Sequence, residues 1–409
     1  MEASYIGRMA RHLLAAQDVN ALNDLVDTRT GMDWYAAAGM VQDLRAANVP
    51  FDSSNNIPYF DHIFGPGMAG KVQNFVLNNF GFFDPTFTGL TPTQTIRYLA
   101  GHDGYDIQDW TFIQSIIDDA GPDNTPNLFF HPQYAAFSAF SSVARSNYNG
   151  ATVSVRQRLG SSVTWDFNYT FQKSFDNASG LQTGGSYGSQ FILNSLRPDD
   201  NYAYSDFDTR HNINANFIVD IPVGKGRKTF SDMNKYADAV LGGWTITGIY
   251  RWNTGLPLSA PFDAAQWATN WNAQSNGTLI KPLTVKTNRS TQSVFADVQA
   301  AVNSFRNARA GETGQRNIFR LPGYSALDMG LTKSWGMPWN ENHKLQFRWE
   351  VFNLMNYQYL NADTFTRQSF GLPQDSELTD TSPAPNFGQI FSSIQGNPRR
   401  MQFGLRYSF

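Results

Sequence analysis

Ser205, Asp206, Asp208 and His211 lie close together in the chain. Ser/His and Asp/His pairs are the groups from which nucleophilic and acid–base catalysis are built. Along a strand, however, Asp206 and Asp208 share one face and His211 takes the other, so no convergent catalytic set forms. Acidic clusters at Asp199 and Asp200, from Asp118 to Asp123, and from Asp375 to Asp380 offer the oxygen ligands that calcium takes. None has EF-hand spacing, and solvated loops account for them. The 6 histidines include no pair at metal-binding spacing. The run Gly224-Lys-Gly-Arg-Lys has the composition of a phosphate cradle but reads more simply as a charged connector. No phosphate-loop or dinucleotide fingerprint occurs, so no cofactor, no metal, no catalytic residue and no enzymatic activity are expected.

The informative charges alternate with apolar residues. Arg156, Arg158, Asp166, Arg251, Lys344, Arg348, Glu350 and Arg406 all occur in period-two segments, on the side opposite the apolar residues, the pattern of a strand with one apolar and one wet face. The segments are Gly150 to Leu159, Val163 to Gln172, His211 to Ile221, Trp244 to Asn253, Leu327 to Thr332, Lys344 to Val351 and Arg400 to Phe409, with a further short strand over 1–8. The last of these closes the chain on Phe403, Leu405, Tyr407 and Phe409. About 8 strands result, the clearest of them ~9–11 residues long, which suffices for a tilted crossing of a bilayer.

Connections alternate between short turns and long excursions. The long ones are 9–147, 176–205, 256–323 and 357–399; within the first, Trp34 to Ala47 and Met68 to Asn79 are weakly amphipathic helical windows, and Ser231 to Val240 is a possible short helix in a medium turn. Short turns on one rim and long loops on the other mark a transmembrane barrel. The fold expected is all-β: a transmembrane antiparallel β-barrel with long extracellular loops carrying short helices. Aromatics gather near strand ends, as interfacial girdles require: Trp244, Trp252, Phe175, Trp335, Trp339, Tyr407 and Phe409. Basic residues on the lipid side cost ~2–4 kcal/mol at mid-depth, so the eight charges above are expected to face the lumen. Trp34, Tyr35, Trp110, Trp267 and Trp271 lie in the excursions, where they either pack together or stack on sugar rings; packing is the simpler reading.

Composition agrees. Of 409 residues 16% are charged and 14% aromatic, including 32 Phe, against the ~25% charged of an average soluble protein. Mean hydropathy is only -0.40, because Asn, Ser, Thr and Gly supply neutral polarity. A net charge of -3 argues against a nucleic-acid partner. The chain has no cysteine, which excludes disulfides and thiolate chemistry. No window approaches the ~18 apolar residues of a transmembrane helix, and the N-terminal MEASYIGRMARHLL lacks the apolar core of a signal peptide.

Several segments resemble one family. They are 146–158 (SNYNGATVSVRQR), 167–176 (FNYTFQKSFD), 206–212 (DFDTRHN) with a strand ending at 221–226 (IPVGKG), 242–258 (GGWTITGIYRWNTGLPL), 322–333 (PGYSALDMGLTK), 350–357 (EVFNLMNY) and 397–409 (NPRRMQFGLRYSF). In this order they are similar to TonB-dependent receptors of the outer membrane, in particular the Oar-like group with a carboxypeptidase-regulatory-like N-terminal domain. The resemblance implies a plugged barrel of about 22 strands that takes up a scarce ligand across the outer membrane with energy passed by TonB. It further implies that the terminal strand is the signal read by the barrel-assembly machinery. The sequence shows no TonB box, plug or regulatory-like domain, so the chain reads as a C-terminal portion, with TonB acting through parts it lacks. Expected partners are outer-membrane lipid, the assembly machinery and a small ligand or oligosaccharide. The alternatives are a non-transporting surface or structural protein that binds a partner through its loops, and a soluble carbohydrate-binding β-sandwich.

Overall fold

Eight long strands carry the alternation: β1 (Glu2–Asp18), β2 (Ser138–Leu159), β3 (Val163–Asp176), β4 (His211–Asp220), β5 (Trp244–Asn253), β6 (Tyr324–Met337), β7 (Asn340–Phe352) and β8 (Arg400–Ser408). They are seen in a computed structural model that describes residues 1–20, 23–51, 55–81, 89–101, 110–121, 127–134, 137–180, 191–263, 275–286, 293–360, 371–372, 387–389, 394–395 and 398–409. Each strand pairs antiparallel with the next in sequence, from β1 through β8. Such a meander needs only hairpins and loops, with no crossover. Two short strands extend it: Phe191–Ile192 runs parallel to the end of β1, and Ala203–Tyr204 pairs the end of β3. Strands β1 and β8 do not pair with each other, so the sheet stays open.

The register sorts the side chains into two faces. Cross-strand partners lie on the same face. Following the pairs Arg156–Asp166, Asp166–Asn216, Asn214–Arg251, Arg251–Ala326, Gly330–Glu350 and Glu350–Gln402 traces one polar face across the sheet. The opposite face carries Val153, Tyr169, Ile213, Trp252, Leu331, Trp349 and Phe403. On that apolar face Gly248 stands opposite Phe217, whose ring lies where a Cβ would go. Only glycine lets the ring cross the neighbouring strand there.

The strands run longer than the alternation suggested. The first continues past residue 8 to Asp18, through a register shift between Ala10 and Leu13 where His12 takes φ 55°. The second begins at Ser138 rather than 148. A bulge interrupts period two, which hid the continuation. Residues 15–18 and Ala144 are buried beside Phe191 and Ile192, so the β1–β2 ribbon ends in packed protein.

On this ribbon sits a helical region: α1 (Trp34–Ala46), α2 (Pro58–Ile63), α3 (Gly65–Phe80), α4 (Pro92–Leu99) and α5 (Trp110–Asp119). Asp33 caps α1 by accepting from the Ala36 N–H at 2.7 Å, and Thr91 with Gln94 forms a capping box on α4, each satisfying orphan amides. Trp34, Tyr59, Phe60, Ile96, Trp110 and Phe129 form its buried core. Trp34 meets Phe60, Trp110 and Phe129 edge-on, with centroids 5.0–6.3 Å apart. A second core joins Phe295, Phe305 and Phe319 of the excursion after β5, which includes α7 (Val298–Val302), to Phe387 of the excursion after β7. Between β4 and β5 lies a short helix, α6 (Lys235–Leu241).

Candidate functional site

All eight expected lumenal charges (Arg156, Arg158, Asp166, Arg251, Lys344, Arg348, Glu350 and Arg406) fall on the polar face by register. Several are knit together. Asp166 accepts from Asn216 Nδ2 at 2.9 Å, and Arg251 pairs with Asp328 at 2.9 Å. Glu350 is bonded by both Arg348 and Gln402.

At the long-loop end this face deepens into a groove of about 620 Å³, between the ends of β5, β6, β7 and β8. Arg251, Tyr324, Asp328, Phe352, Tyr357 and Arg400 line it. Asp328 is fixed from a second side, because its Oδ1 accepts the Asn353 N–H at 2.8 Å. Asn353 takes φ 52°, and its Oδ1 accepts the Tyr357 N–H at 3.0 Å, which turns the chain back over the groove. The arrangement offers guanidinium and carboxylate groups for hydrogen bonding beside aromatic surface, the equipment for holding a polar, ring-bearing small molecule. Sequence reasoning named only Arg251 of this set. Asp328 and Arg400 are visible as polar positions of their period-two segments; Tyr357 gives no periodic signal, and only the fold brings these strand and loop ends together.

The residues whose types suggest catalysis each have a partner in the structure. Asp206 and Asp208 lie in the turn before β4 and not along a strand. Asp208 is buried, accepts the Ser174 N–H at 2.7 Å and is paired to Arg320. Asp206 and Asp176 both bind Arg316, at 3.0 and 2.8 Å. Ser205 bonds Ser174 at 2.8 Å, and His211 Nδ1 bonds the Tyr169 hydroxyl at 2.8 Å. The Arg316 and Arg320 contacts clamp that part of the excursion after β5 onto the tops of β3 and β4. A buried guanidinium between carboxylates holds a register only while every partner is present.

The acidic clusters are likewise occupied. Asp118 accepts the amides of Leu128, Phe129 and Phe130 at 2.7, 3.0 and 2.8 Å. Asp199 pairs Arg145 and Asp200 pairs Arg197. No cluster of three metal-ligating side chains occurs among the described residues; Asp123 and the stretch Asp375 to Asp380 lie outside them. Trp34, Tyr35 and Trp110 are buried in the helical core, not presented to sugars, while Trp267 and Trp271 lie outside the described residues. Gly311, at φ 80°, lets the excursion approach the helices, since a Cβ there would come within 2.7 Å of the Tyr35 ring. Arg309 pairs Asp43 at 2.8 Å beside it.

The terminal residues Phe403, Leu405, Tyr407 and Phe409 project exposed from β8 and its end. The Trp349 and Phe403 rings stack at 6.0 Å across the apolar face.

A family model described as an outer membrane β-barrel domain matches residues 1–402. No curated protein matches the chain. No solved structure matches it. The family match sets aside the soluble β-sandwich. The sorted faces, the antiparallel meander and this match together say that the chain belongs to the outer membrane β-barrel domain family and resides in the outer membrane.

Proposed function

We propose that the chain forms part of the wall of a TonB-dependent, Oar-like receptor that takes up a small ligand or oligosaccharide across the outer membrane, and that it catalyses no reaction. The observation that carries this reading is the open sheet: a largely polar and a largely apolar face end at strands β1 and β8, which are not joined. Hydrocarbon tolerates no unpaired strand edge, so in the membrane both edges need partners. Further strands would widen the barrel toward the plugged class of about 22 strands. The polar face then becomes the wall of a lumen, the groove at Arg251 and Arg400 a ligand subsite near its long-loop mouth, and the loops the first capture surface. TonB would act through parts outside this chain, and Phe403, Leu405, Tyr407 and Phe409 would be read by the assembly machinery.

The cysteine-free sequence makes the test clean. Cysteine pairs placed along β1 (Ala3, Tyr5) and β8 (Phe403, Tyr407) are oxidised in the native membrane. Absence of β1–β8 cross-links, with each cysteine still placed in the membrane, fits the wide barrel. Efficient cross-linking means that eight strands close alone, into a lumen filled by side chains, and transport is abandoned. The helical region, with a core of its own, would then favour the second reading, a surface protein that binds a partner.

A further inference from the structure

The connection between β4 and β5 does not extend freely into water; it folds back onto the sheet. Three donors grip the end of α6. Trp244 Nε1 donates to the Val240 carbonyl at 2.8 Å, and Trp335 Nε1 to the Ala239 carbonyl at 2.7 Å. Lys333 Nζ donates to the Asp238 carbonyl at 3.0 Å and also to that of Gly242. The Ala239 and Val240 carbonyls are among those that a helix C-terminus leaves unsatisfied; the Asp238 carbonyl also accepts the Gly242 N–H at 2.9 Å, and a cation at this end complements the helix dipole. Trp244, Lys333 and Trp335 all lie on the apolar face, Lys333 directly opposite Trp244. The helix is therefore held against the side of the sheet that meets lipid.

Its outward side is apolar. Tyr236, Ala239 and Val240, at i, i+3 and i+4, share one face of α6, and all three are exposed, Tyr236 at 74% and Val240 at 65%. Leu241 is exposed as well. Phe230 is 68% exposed and sits at φ 58°, a left-handed conformation that is rare for a bulky residue. The same segment carries exposed Lys225, Arg227, Lys228 and Lys235, against Asp232 and Asp238. The Asp238 carboxylate is already engaged by the Lys225 amide at 2.6 Å.

We propose that residues 222–243 form an interfacial anchor, with the Tyr236, Val240 and Phe230 side chains in the acyl boundary and the basic turn on anionic phospholipid headgroups beside the barrel. Two arguments select lipid as the occupant. The exposed stripe is continuous with the lipid-facing face through Trp244 and Trp335, and the basic excess complements an anionic leaflet. An apolar stripe flanked by lysines is the composition of helices that lie in a membrane interface, and juxtamembrane basic residues are drawn to anionic lipid within a Debye length. The proposal rests on the outer-membrane location and not on transport.

The experiment uses the full chain, reconstituted in phosphatidylcholine vesicles with and without phosphatidylglycerol. A nitroxide is attached at Val240→Cys, the only cysteine present. The far-ultraviolet β signal checks folding. The expected result is that oxygen reaches the label better than a water-soluble nickel chelate does, and that phosphatidylglycerol increases this preference. The increase is lost in the K225Q/R227Q/K228Q variant. It is equally lost on the unmutated turn in ~1 M salt, where the Debye length falls to about 3 Å. Greater access for the nickel chelate in both vesicle types overturns the anchor. An oxygen preference that neither phosphatidylglycerol, salt nor the triple variant changes overturns the headgroup contact. β1–β8 cross-linking, which would overturn transport, affects neither result.

Discussion

The helical region and the sheet handle the same residue types in opposite ways. Trp34 and Trp110, at 0% and 1% exposure, are enclosed among Phe60, Phe129 and Ile113. On β8, Phe403 and Leu405 are each 70% exposed, on one continuous apolar surface. The first arrangement is the response of an amphipathic chain to water, where apolar area must be covered by other apolar area. The second makes sense only where the surroundings are themselves apolar. One chain is thus folded for two solvents, and β1 passes between them: its residues up to 14 are largely exposed, while 15–18 are buried under Phe191 and Ile192.

The largest effect expected from breaking this contrast is at Trp34. Trp34→Ala should cost about 3–5 kcal/mol of the helical region's stability. Limited proteolysis should then cut within residues 23–134 while the strands stay protected. Loss of the strands at the same protease dose would mean that the two regions fold as one unit.

A smaller effect is expected in the sheet. Leu405→Arg places a cation near the middle of β8 on the apolar face and should cost about 2–4 kcal/mol in a bilayer. The same residue introduced on the polar face, Ser154→Arg, should stay within about 0.5 kcal/mol. Chemical unfolding from vesicles measures both; equal costs would show that the two faces see the same medium.

The smallest effect is a pH dependence confined to the helical region. Burial, together with the neighbouring Asp33, raises the Asp24 carboxyl from its ordinary 3.8 to about 6. The fold therefore favours the protonated form. That contribution is complete below pH 4 and is lost as pH rises through about 6. Thermal unfolding followed by the near-ultraviolet signal of the buried tryptophans should show a Tm that falls between pH 4 and 7. Asp24→Asn should flatten the curve. Asp27 adds nothing in this window, because Thr30 and His62 hold its carboxyl well below the usual range.

Much of the sheet was legible because period two is a local property. Arg156, Asp166, Arg251, Lys344, Arg348, Glu350 and Arg406 could be assigned to one face from their own strands, and the register carries that assignment across the sheet. The helices α2, α4, α5 and α7 were less legible. Several are short, and α4 is defined as much by its Thr91–Gln94 capping box and by packing on Ile57 as by periodicity. The groove was only partly legible, because Arg251, Asp328, Tyr357 and Arg400 come from separate strands and loop ends.

By itself, then, the sequence determined which side of each strand is polar, that the connections alternate in length, and that the last strand ends in aromatics, since each follows from neighbours a few residues apart. Only the tertiary structure decided that Arg316 bridges Asp176 to Asp206, that α6 lies against the apolar face, and that β1 and β8 remain unjoined. Those outcomes depend on contacts between residues far apart in the chain, whose geometry no local pattern encodes.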